Sequence, residues 1–419
     1  MLDGIPWLFA EPAFQLAQWR QRFHLLLQEN HGEQERLTTA LKDPAVAPLT
    51  AARLQRLNSG YTQHAASLRK LLAPLQLDRQ SAVEATLLAL RTRAPLAQDL
   101  TSYYVNLHRD WVWGARENEA SVQLIQDLAA DRALGEALVL GAGAGRLAYD
   151  IHEQLAPLET VALDLNPLLL IVAARVARGE TVELVEFPIA PRDAASIAVV
   201  QRLAAPRPAR PGLDFVFADA LRAPFGDASF DTVVTPWFID IVPQSLSEVA
   251  ARVNRLLRPG GAWLNFGSLA FSQRESTQRL GPAEVLATLQ SNGFEIVQQR
   301  DADLPYMQSP LSRHGRIERV FGFHARKGAE VADPDAAYNL PAWLADSSQP
   351  VPLLPHFQTQ AIANRIFAFV MALIDGQRSI GEIAAYLVEQ RLMQPGEAEP
   401  AVRSFLIQLF EESRRPIRF

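Results

Sequence analysis

A glycine-rich turn is the first feature of this sequence that could serve a ligand. Gly141, Gly143 and Gly145 follow the apolar run "ALVL" and precede the helical pattern "LAYDIHEQL". Glycines at such a turn let the backbone bend tightly and approach a bound molecule closely. A dinucleotide fingerprint would have its third glycine at position 146, where this chain has Arg146. Alone, the turn is weak evidence, because glycine-rich turns are common.

The acidic residue Asp164 strengthens the interpretation of a nucleoside site. It ends the next strand-like run, "TVALD", 23 residues after Gly141. A carboxylate at that strand end can accept hydrogen bonds from both hydroxyls of a ribose. The alternative is a turn aspartate, or one that caps the helix beginning at "NPLL". With the glycine turn upstream, we interpret Asp164 as a ribose ligand.

Asp240 is the most unusual acidic residue in the chain. It lies between two isoleucines at the end of "FDTVVTPWFIDIV", a segment that otherwise predicts a buried parallel strand. Burying a carboxylate costs stability unless a partner compensates it. Asp240 is therefore a candidate functional acid. The alternative is a cap for the helix in "PQSLSEV", although Ser245 or Ser247 would cap that helix more naturally.

The elements that would position these residues alternate between strand and helix patterns over residues 96–330. Strand-like runs include "ALVLG", "TVALD", "LDFVFAD", "FDTVV" and "AWLNFGSL". This alternation predicts an α/β fold with a doubly wound, mostly parallel sheet. Residues 187–212, rich in Pro, Ala and Arg, are interpreted as an insertion. Residues 1–95 have helical spacing and predict an N-terminal helical cap.

Residues 346–419 form a third predicted region, beyond a polar linker. The segment "SIGEIAAYLVEQ" begins with a capping box of Ser379 and Glu382, and "AVRSFLIQLFEES" is a second amphipathic helix. A small helical module is therefore expected at the C-terminal end of the sequence.

Composition argues against several classes of function. The 419 residues carry a net charge of −6 and a pI near 5.8, unlike a general nucleic-acid binder. The chain has no cysteine, which excludes disulfides and thiolate chemistry, and its histidines have no metal-binding spacing. It has no long apolar run and no signal-peptide pattern. We expect a cytoplasmic protein without metal, nucleic acid or membrane contacts.

Taken in order, these features resemble class I S-adenosylmethionine-dependent methyltransferases. The G-x-G-x-G turn, Asp164, Asp219 after the third strand-like run, and "LLRPGG" between a helix and a strand follow the order typical of that class. The resemblance implies a Rossmann-like methyltransferase sheet and S-adenosyl-L-methionine as cofactor. It also implies that Asp219 accepts the adenine amino group, although a surface turn is an equally good interpretation.

A narrower resemblance is to the carnosine N-methyltransferase family. "NLHRDWVW", "LVLGAGAGRLAYDI", "FIDIV" and "LLRPGGAWLNFGSL" carry it, over roughly residues 10–327. Arg109 would bind the methionine carboxylate of the cofactor in a bidentate contact, and a surface salt bridge with Asp110 or Glu117 is the alternative. The cofactor-binding residues implied by the resemblance are Asn106, Arg109, Gly141, Ala142, Gly143, Gly145, Asp164, Asp219 and Ala220.

The same resemblance implies that Asp240 binds a substrate imidazole. A carboxylate that accepts the ring N–H fixes the tautomer, so that the other nitrogen presents its lone pair to the methyl group. It also stabilises the positive charge that develops on the ring. The family's substrate histidine falls at a serine here and its last tyrosines fall near an arginine, so carnosine itself is in doubt. The expected substrate-binding residues are Asp240, Phe271, Ser272, Tyr306, His314 and Arg316.

The C-terminal region loosely resembles PqqD-like winged-helix modules, which hold a leader peptide by adding it as a strand. The alternative is a helical appendage that packs on the catalytic domain or forms a homodimer. The expected function is methyl transfer to an imidazole nitrogen of a histidine-containing small molecule or peptide. Two alternatives stay open: a non-catalytic peptide-binding scaffold, and a methyltransferase that acts on a different nucleophile.

Overall fold

A seven-stranded sheet organises the larger of two units in the computed structural model. The structure describes residues 1–78, 103–271, 273, 276–331, 343 and 348–413. The larger unit is Met1–Pro334 and the smaller one is Asp335–Pro416. Strands β1 to β9 are, in chain order, Glu136–Leu140, Glu159–Asp164, Val182–Glu186, Val199–Leu203, Leu213–Phe217, Phe230–Pro236, Leu257–Gly267, Phe294–Tyr306 and Arg316–Lys327.

The order of the strands in the sheet is β5-β2-β1-β6-β7-β9-β8. The first five are parallel, and β9 is antiparallel to both of its neighbours. The order reverses between β1 and β6, where Val139 is paired with Val234. Ligands bind outside the carboxyl ends of parallel strands at such a switch point. This topology agrees with the predicted doubly wound sheet.

Helices cover the sheet and connect its strands. Helices α1 to α8 are Pro12–Ala40, Pro48–Leu71, Tyr104–His108, Ala115–Ala129, Arg146–Gln154, Pro167–Ala177, Leu246–Leu256 and Pro282–Ser291. A π-helical turn, Arg109–Trp113, joins α3 to α4. Short 3₁₀ turns occur at Ala73–Leu75, Ala194–Ser196, Ala220–Arg222 and Ser276–Gln278. Strand β1 is almost wholly apolar because helices bury both faces of a parallel sheet.

The predicted N-terminal helices share a core with the sheet. Phe23 of α1 and Leu68 of α2 are fully buried in the same apolar cluster as Val139 of β1. The segment before α1 also runs beside the edge strand, because Leu8 N–H donates to the carbonyl of Phe217. That pairing covers part of a sheet edge that would otherwise be open. Positions 79–95 of the predicted cap lie outside the described residues.

The predicted insertion is built around a hairpin. Strands β3 and β4 pair with each other, antiparallel, in a separate two-stranded sheet. The hydroxyl of Tyr104 in α3 donates to the carbonyl of Val185 in β3 at 2.7 Å. Ser309, in the loop after β8, donates to the carboxylate of Glu186 at 2.6 Å. The hairpin therefore contacts both the segment before the π-helical turn and the loop that follows β8.

The described part of the smaller unit contains three helices: α9 (Pro355–Ala372), α10 (Ile380–Glu389) and α11 (Ala398–Ser413). Its own apolar cluster includes Val370, Ile383 and Leu387. The predicted capping box is present, since Ser379 and Glu382 exchange hydrogen bonds at the start of α10. No strand occurs among the described residues of this unit. The strands of a winged helix, which the sequence resemblance implied, are thus not found in the part described.

Hydropathy along the described helices gives no membrane-crossing candidate, because none combines the required length with sufficient apolarity.

We predict that a chain ending at Pro334 folds without the smaller unit, because the buried clusters of the two units share no residue. Its melting temperature should lie within about 4 °C of that of the full chain, the shift expected for a loss of only 1–2 kcal/mol. Circular dichroism during heating measures this. A truncated chain that is unfolded or insoluble at 25 °C would show that the larger unit requires the smaller one.

Candidate active site at the carboxyl ends of the parallel strands

The glycine turn after β1 combines a strained backbone with close packing. Gly141 has a φ of +66° and Gly143 a φ of +58°, in the left-handed region that favours glycine. A Cβ at Gly141 would lie 2.7 Å from a ring carbon of Phe238, whereas a Cβ at Gly143 would meet no atom within 4 Å. The turn thus packs tightly at its start and faces open space at its middle, where a ligand could approach the backbone.

Asp164 is hydrogen-bonded directly to this turn. Its Oδ2 accepts a hydrogen bond from the N–H of Gly143, and its Oδ1 accepts one from the N–H of Asn166, both at 2.8 Å. The cap of α6 is Asn166, whose side chain accepts from Leu168 N–H, so Asp164 is not the helix cap. The contact with Asn166 N–H, two residues on, is that of an aspartate in a turn, so the turn alternative agrees with the structure. A carboxylate has about four acceptor positions, so Asp164 keeps capacity for a ribose hydroxyl.

The pKa of Asp164 is raised to about 6. Burial of the carboxylate is the main cause, and it outweighs the lowering effect of the N–H groups of Asn166, Gly143 and Leu165. A group with this pKa changes its charge just below neutral pH. Any ligand that donates hydrogen bonds to the carboxylate favours the ionised form.

The other residues predicted on the cofactor side have local structural contacts. Asp219 Oδ1 accepts a hydrogen bond from Leu221 N–H at 2.9 Å and caps the short turn that begins at the buried Ala220. This contact agrees with the interpretation of Asp219 as a turn residue. Ala142, in the glycine turn, donates its N–H to the carbonyl of Leu163 at the end of β2. Ala142 therefore holds the turn against the neighbouring strand.

Arg109 lies on the π-helical turn, a conformation that often marks functional sites. Its guanidinium is 2.7 Å from Asp110 and 3.3 Å from Glu117, and its side chain is 15% exposed. Both predicted salt-bridge partners are therefore present, but the ion pairs are largely buried rather than on the surface. Five N–H donors leave the guanidinium with capacity for a ligand carboxylate. On α3, the buried Oδ1 of Asn106 has no hydrogen-bond partner within the described parts of the chain.

Asp240 is 2% exposed, and its two carboxylate oxygens differ. Oδ2 accepts hydrogen bonds from Ser268 Oγ at 3.1 Å and from Ala270 N–H at 2.9 Å. Oδ1 is buried and has no hydrogen-bond partner among the residues that the structure describes. The helix-cap alternative is wrong, because Ser245 caps α7 in a capping box with Glu248.

The backbone of Trp237 lies close to Asp240. Gly267, at the end of β7, is close to both Trp237 and Oδ1 of Asp240. A Cβ added to Gly267 would lie 3.6 Å from the α-carbon of Trp237 and 3.8 Å from Oδ1 of Asp240. Trp237 has a φ of +51°, an unusual conformation for a bulky residue and one that is often retained at functional sites. Its ring centroid is 5.0 Å from that of Tyr306, and the guanidinium carbon of Arg316 lies 4.6 Å from the Tyr306 centroid.

The remaining predicted substrate residues do not join this group. Phe271 is 9% exposed and belongs to the apolar core cluster on one side of the sheet. His314 is exposed, and its backbone N–H donates to Ser312 Oγ; within the described parts of the chain, no hydrogen bond or ring contact joins its imidazole to Tyr306. Ser272 lies outside the described residues. Of the predicted residues, the structure thus brings together Tyr306 and Arg316, with Trp237 packed against Tyr306.

Tyr103 lies near the predicted site residues, and the sequence analysis does not single it out. Burial is the main cause that raises the pKa of its hydroxyl, and the charges of Asp164, Tyr306 and Asp240 add to the effect. The hydroxyl is therefore within electrostatic range of the carboxylates on both sides of the site. The sequence "TSYYVNL" has no feature that would single out this tyrosine, because its position depends on how the start of α3 packs in the folded chain.

Comparison with known proteins agrees with this topology. Residues 138–264 match the family described as "Methyltransferase domain". Similar solved structures include N-methyltransferase NodS from Bradyrhizobium japonicum in complex with S-adenosyl-L-homocysteine. The sequence identity is 14% and the TM-score is 0.36, and the match covers 54% of this chain and 99% of that chain. A SAM-dependent methyltransferase from Methanosarcina mazei has 20% identity, 48% and 95% coverage and a TM-score of 0.33. No curated protein matches the chain.

The family match spans β1 to most of β7 and contains the switch point of the sheet. With the strand order, it confirms the predicted fold class, a doubly wound sheet of the Rossmann-like methyltransferase type. The residues present fit the predicted cofactor, S-adenosylmethionine. The turn at Gly143 faces open space, Asp164 has lone pairs for a ribose, and Arg109 supplies a buried cation for the methionine carboxylate.

We predict that cofactor affinity falls as the pH is lowered through about 6, because ribose hydroxyls bind best to ionised Asp164. At pH 5, one unit below this pKa, S-adenosylhomocysteine should bind about tenfold more weakly than at pH 8. Isothermal titration calorimetry measures both affinities. In Asp164→Asn, binding should be weaker by about 1–3 kcal/mol at pH 8 and should lose this pH dependence. Equal wild-type affinities at pH 5 and 8 would contradict the ribose role.

Proposed function

We propose that the protein is an S-adenosylmethionine-dependent N-methyltransferase that acts on an imidazole nitrogen of a histidine-containing small molecule or peptide. The observation that carries the proposal is the half-paired carboxylate of Asp240. Its Oδ2 accepts two hydrogen bonds, whereas the buried Oδ1 accepts none from the described residues. A buried acceptor without a partner costs about 1–3 kcal/mol, which a ligand donor would recover. A neutral imidazole offers one N–H donor.

The cofactor would be held by the first half of the site. Asp164 would accept the ribose hydroxyls, and Asp219 the adenine amino group. Arg109, assisted by the unpaired amide oxygen of Asn106, would bind the amino-acid end. When bound, S-adenosylmethionine supplies an electrophilic methyl group. The protein's part is to align a nucleophile with that group and to exclude water.

Asp240 would orient the substrate ring. By accepting the ring N–H at Oδ1, it keeps that proton on one nitrogen and leaves the lone pair of the other nitrogen free to attack. The ring becomes a cation as the carbon–nitrogen bond forms and the carbon–sulfur bond breaks. The carboxylate, already fixed by Ser268 and Ala270, stabilises this charge without having to reorient. The faces of Trp237 and Tyr306 would add a weaker cation–π contribution.

Other nucleophiles are less compatible with these surroundings. A carboxylate substrate would place a second negative charge beside Asp240, and like charges in a buried site repel each other. An amine would gain from the negative charge, but it would not need the flat surfaces of Trp237 and Tyr306. A planar nitrogen heterocycle with one N–H satisfies both features. A non-catalytic scaffold would leave the unpaired Oδ1 unexplained.

A second part of the proposal concerns the C-terminal unit, which we propose binds a leader segment of a peptide substrate. Phe367 and Met371 lie one turn apart on α9 and are 52% and 49% exposed. Phe367 also stacks on Phe405 of α11, with ring centroids 5.4 Å apart. These three side chains define an apolar α9–α11 face. Because the described residues of this unit offer no strand edge, a helix-in-groove mode suits the face better than strand addition.

We predict that Met371→Glu in the full chain raises the KM for a long histidine-containing peptide by about tenfold, the effect of losing one well-placed apolar contact of about 1.4 kcal/mol. The KM for a histidine-containing dipeptide should not change. Leu392→Glu is the matched control, because Leu392 is 45% exposed in the same unit but follows α10 and is not one of the residues that define the α9–α11 face. If both variants leave the long-peptide KM unchanged, the unit is an appendage or a dimerisation element, which size-exclusion chromatography distinguishes.

We predict that Asp240→Asn keeps its affinity for S-adenosylhomocysteine and loses about 100-fold in the rate of methyl transfer, a loss of about 3 kcal/mol of electrostatic stabilisation. Asparagine keeps the size of the side chain, but it lacks the charge and can present an N–H to the ring. Single-turnover assays on histidine-containing dipeptides and peptides, with mass spectrometry to locate the methyl group, measure this.

The exposed Asp214 of β5 provides the control, since Asp214→Asn makes the same chemical change away from the site. If Asp240→Asn methylates imidazole as fast as the wild type, Asp240 has no role in the reaction. If the wild type ignores every imidazole offered and methylates another atom, the proposed substrate is wrong.

A further inference from the structure

A carboxylate without a role in the proposed chemistry connects the two sides of the site. Glu117 lies in the first turn of α4, and its side chain is 7% exposed. Its Oε1 is 3.3 Å from Nη1 of Arg109, and its Oε2 accepts a hydrogen bond from the N–H of Met307 at 2.9 Å. One buried carboxylate therefore contacts both the arginine on the cofactor side and the first residue after Tyr306.

The second contact is made at a strained point of the backbone. Met307 has a φ of +52°, a conformation that costs a non-glycine residue about 1–3 kcal/mol and persists only where neighbouring groups enforce it. Tyr306 ends β8, and residues 307–315 form the loop to β9. The hydrogen bond to Glu117 thus fixes the direction in which the chain leaves Tyr306, whose ring packs on Trp237.

The charges around Glu117 make this contact sensitive to what binds at Arg109. Arg109 is shared between Asp110 and Glu117, so two carboxylates compete for one guanidinium. Burial is the main cause that raises the pKa of Glu117, and the charge of Asp110 raises it further. Arg109, the N–H of Met307 and Arg316 lower this pKa. A third carboxylate arriving at Arg109 would redistribute its hydrogen bonds and shift Glu117.

We propose that Glu117 is a positioning residue that couples occupation of the cofactor side at Arg109 to the order of Tyr306 and the 307–315 loop on the substrate side. Substrate contacts would then be assembled when the cofactor is bound. The inference rests on the proposed function, because it takes Arg109 as the group that binds the carboxylate of the cofactor.

The test is hydrogen–deuterium exchange of the full chain, with and without saturating S-adenosylhomocysteine. In the wild type, binding should slow exchange in peptides covering residues 304–315 by at least about fivefold, the low end of typical coupling between sites. In Glu117→Gln the cofactor product should still bind, but this slowing should be lost. An amide has one acceptor oxygen, so it cannot accept from Arg109 and Met307 through separate oxygens.

The matched control is Glu119→Gln, the same change on the same helix at an exposed residue, which should behave as the wild type. Glu117→Asp keeps both acceptor oxygens but is one methylene shorter, so cofactor binding should slow exchange at 304–315 less than in the wild type. This variant replaces Glu117→Gln in the test if Glu117→Gln does not fold. Wild-type slowing that persists in Glu117→Gln overturns the inference. If S-adenosylhomocysteine binds to the wild type without slowing exchange at 304–315, only this inference is overturned. If S-adenosylhomocysteine does not bind to the wild type, the proposed function is overturned as well.

Discussion

A buried carboxylate with one satisfied and one unsatisfied oxygen is the constraint around which the site is organised. The fold maintains this arrangement at Asp240 through the end of the β6–β7 pair. Trp237 donates its N–H to Phe266 of β7, and Ser268 and Ala270, which follow β7, hold Oδ2 from the other direction. The left-handed backbone of Trp237 adds strain to the cost of the unpaired oxygen. The well-packed core, in which Phe266 is fully buried, offsets the destabilisation from the strained backbone and from the unpaired oxygen.

The topology explains why the two sides of the site face each other. Strands β1, β2 and β5 provide the glycine turn and two aspartates, whereas β6, β7 and the β8–β9 pair provide Asp240, Trp237 and Tyr306. The strand order reverses between β1 and β6, so the two groups of loops open away from a common crevice. The segment from Tyr103 to Glu117 lies outside this order. It contributes residues that interact with both sides.

Much of the cofactor side was predictable, because it depends on local patterns. A strand followed by glycines and an acid at the next strand end fixed Gly141, Gly143 and Asp164 in their observed places. The serine at the start of "SLSEV" likewise predicted the cap of α7. Asp240 stood out because an acid inside an apolar run has few structural explanations. These inferences require only neighbouring residues and the periodicity of strands and helices.

The substrate side was harder to predict, because it depends on contacts between distant segments and on single backbone angles. Phe271 packs in the apolar core cluster, and His314 is exposed on its loop. The hydrogen bond between Glu117 and Met307 joins residues 190 positions apart, and hydrophobic periodicity does not predict such a pair. Nor does the sequence indicate that Trp237 has a positive φ.

The most direct measurement of the central claim is a crystal structure of the full chain with S-adenosylhomocysteine and a histidine-containing peptide. The account predicts a ring nitrogen within about 2.7–3.2 Å of Asp240 Oδ1, the range of an N–H···O hydrogen bond, with the other ring nitrogen directed at the cofactor sulfur. A complex in which Oδ1 is bonded to a protein group or a buried water, and the imidazole lies elsewhere, would contradict it.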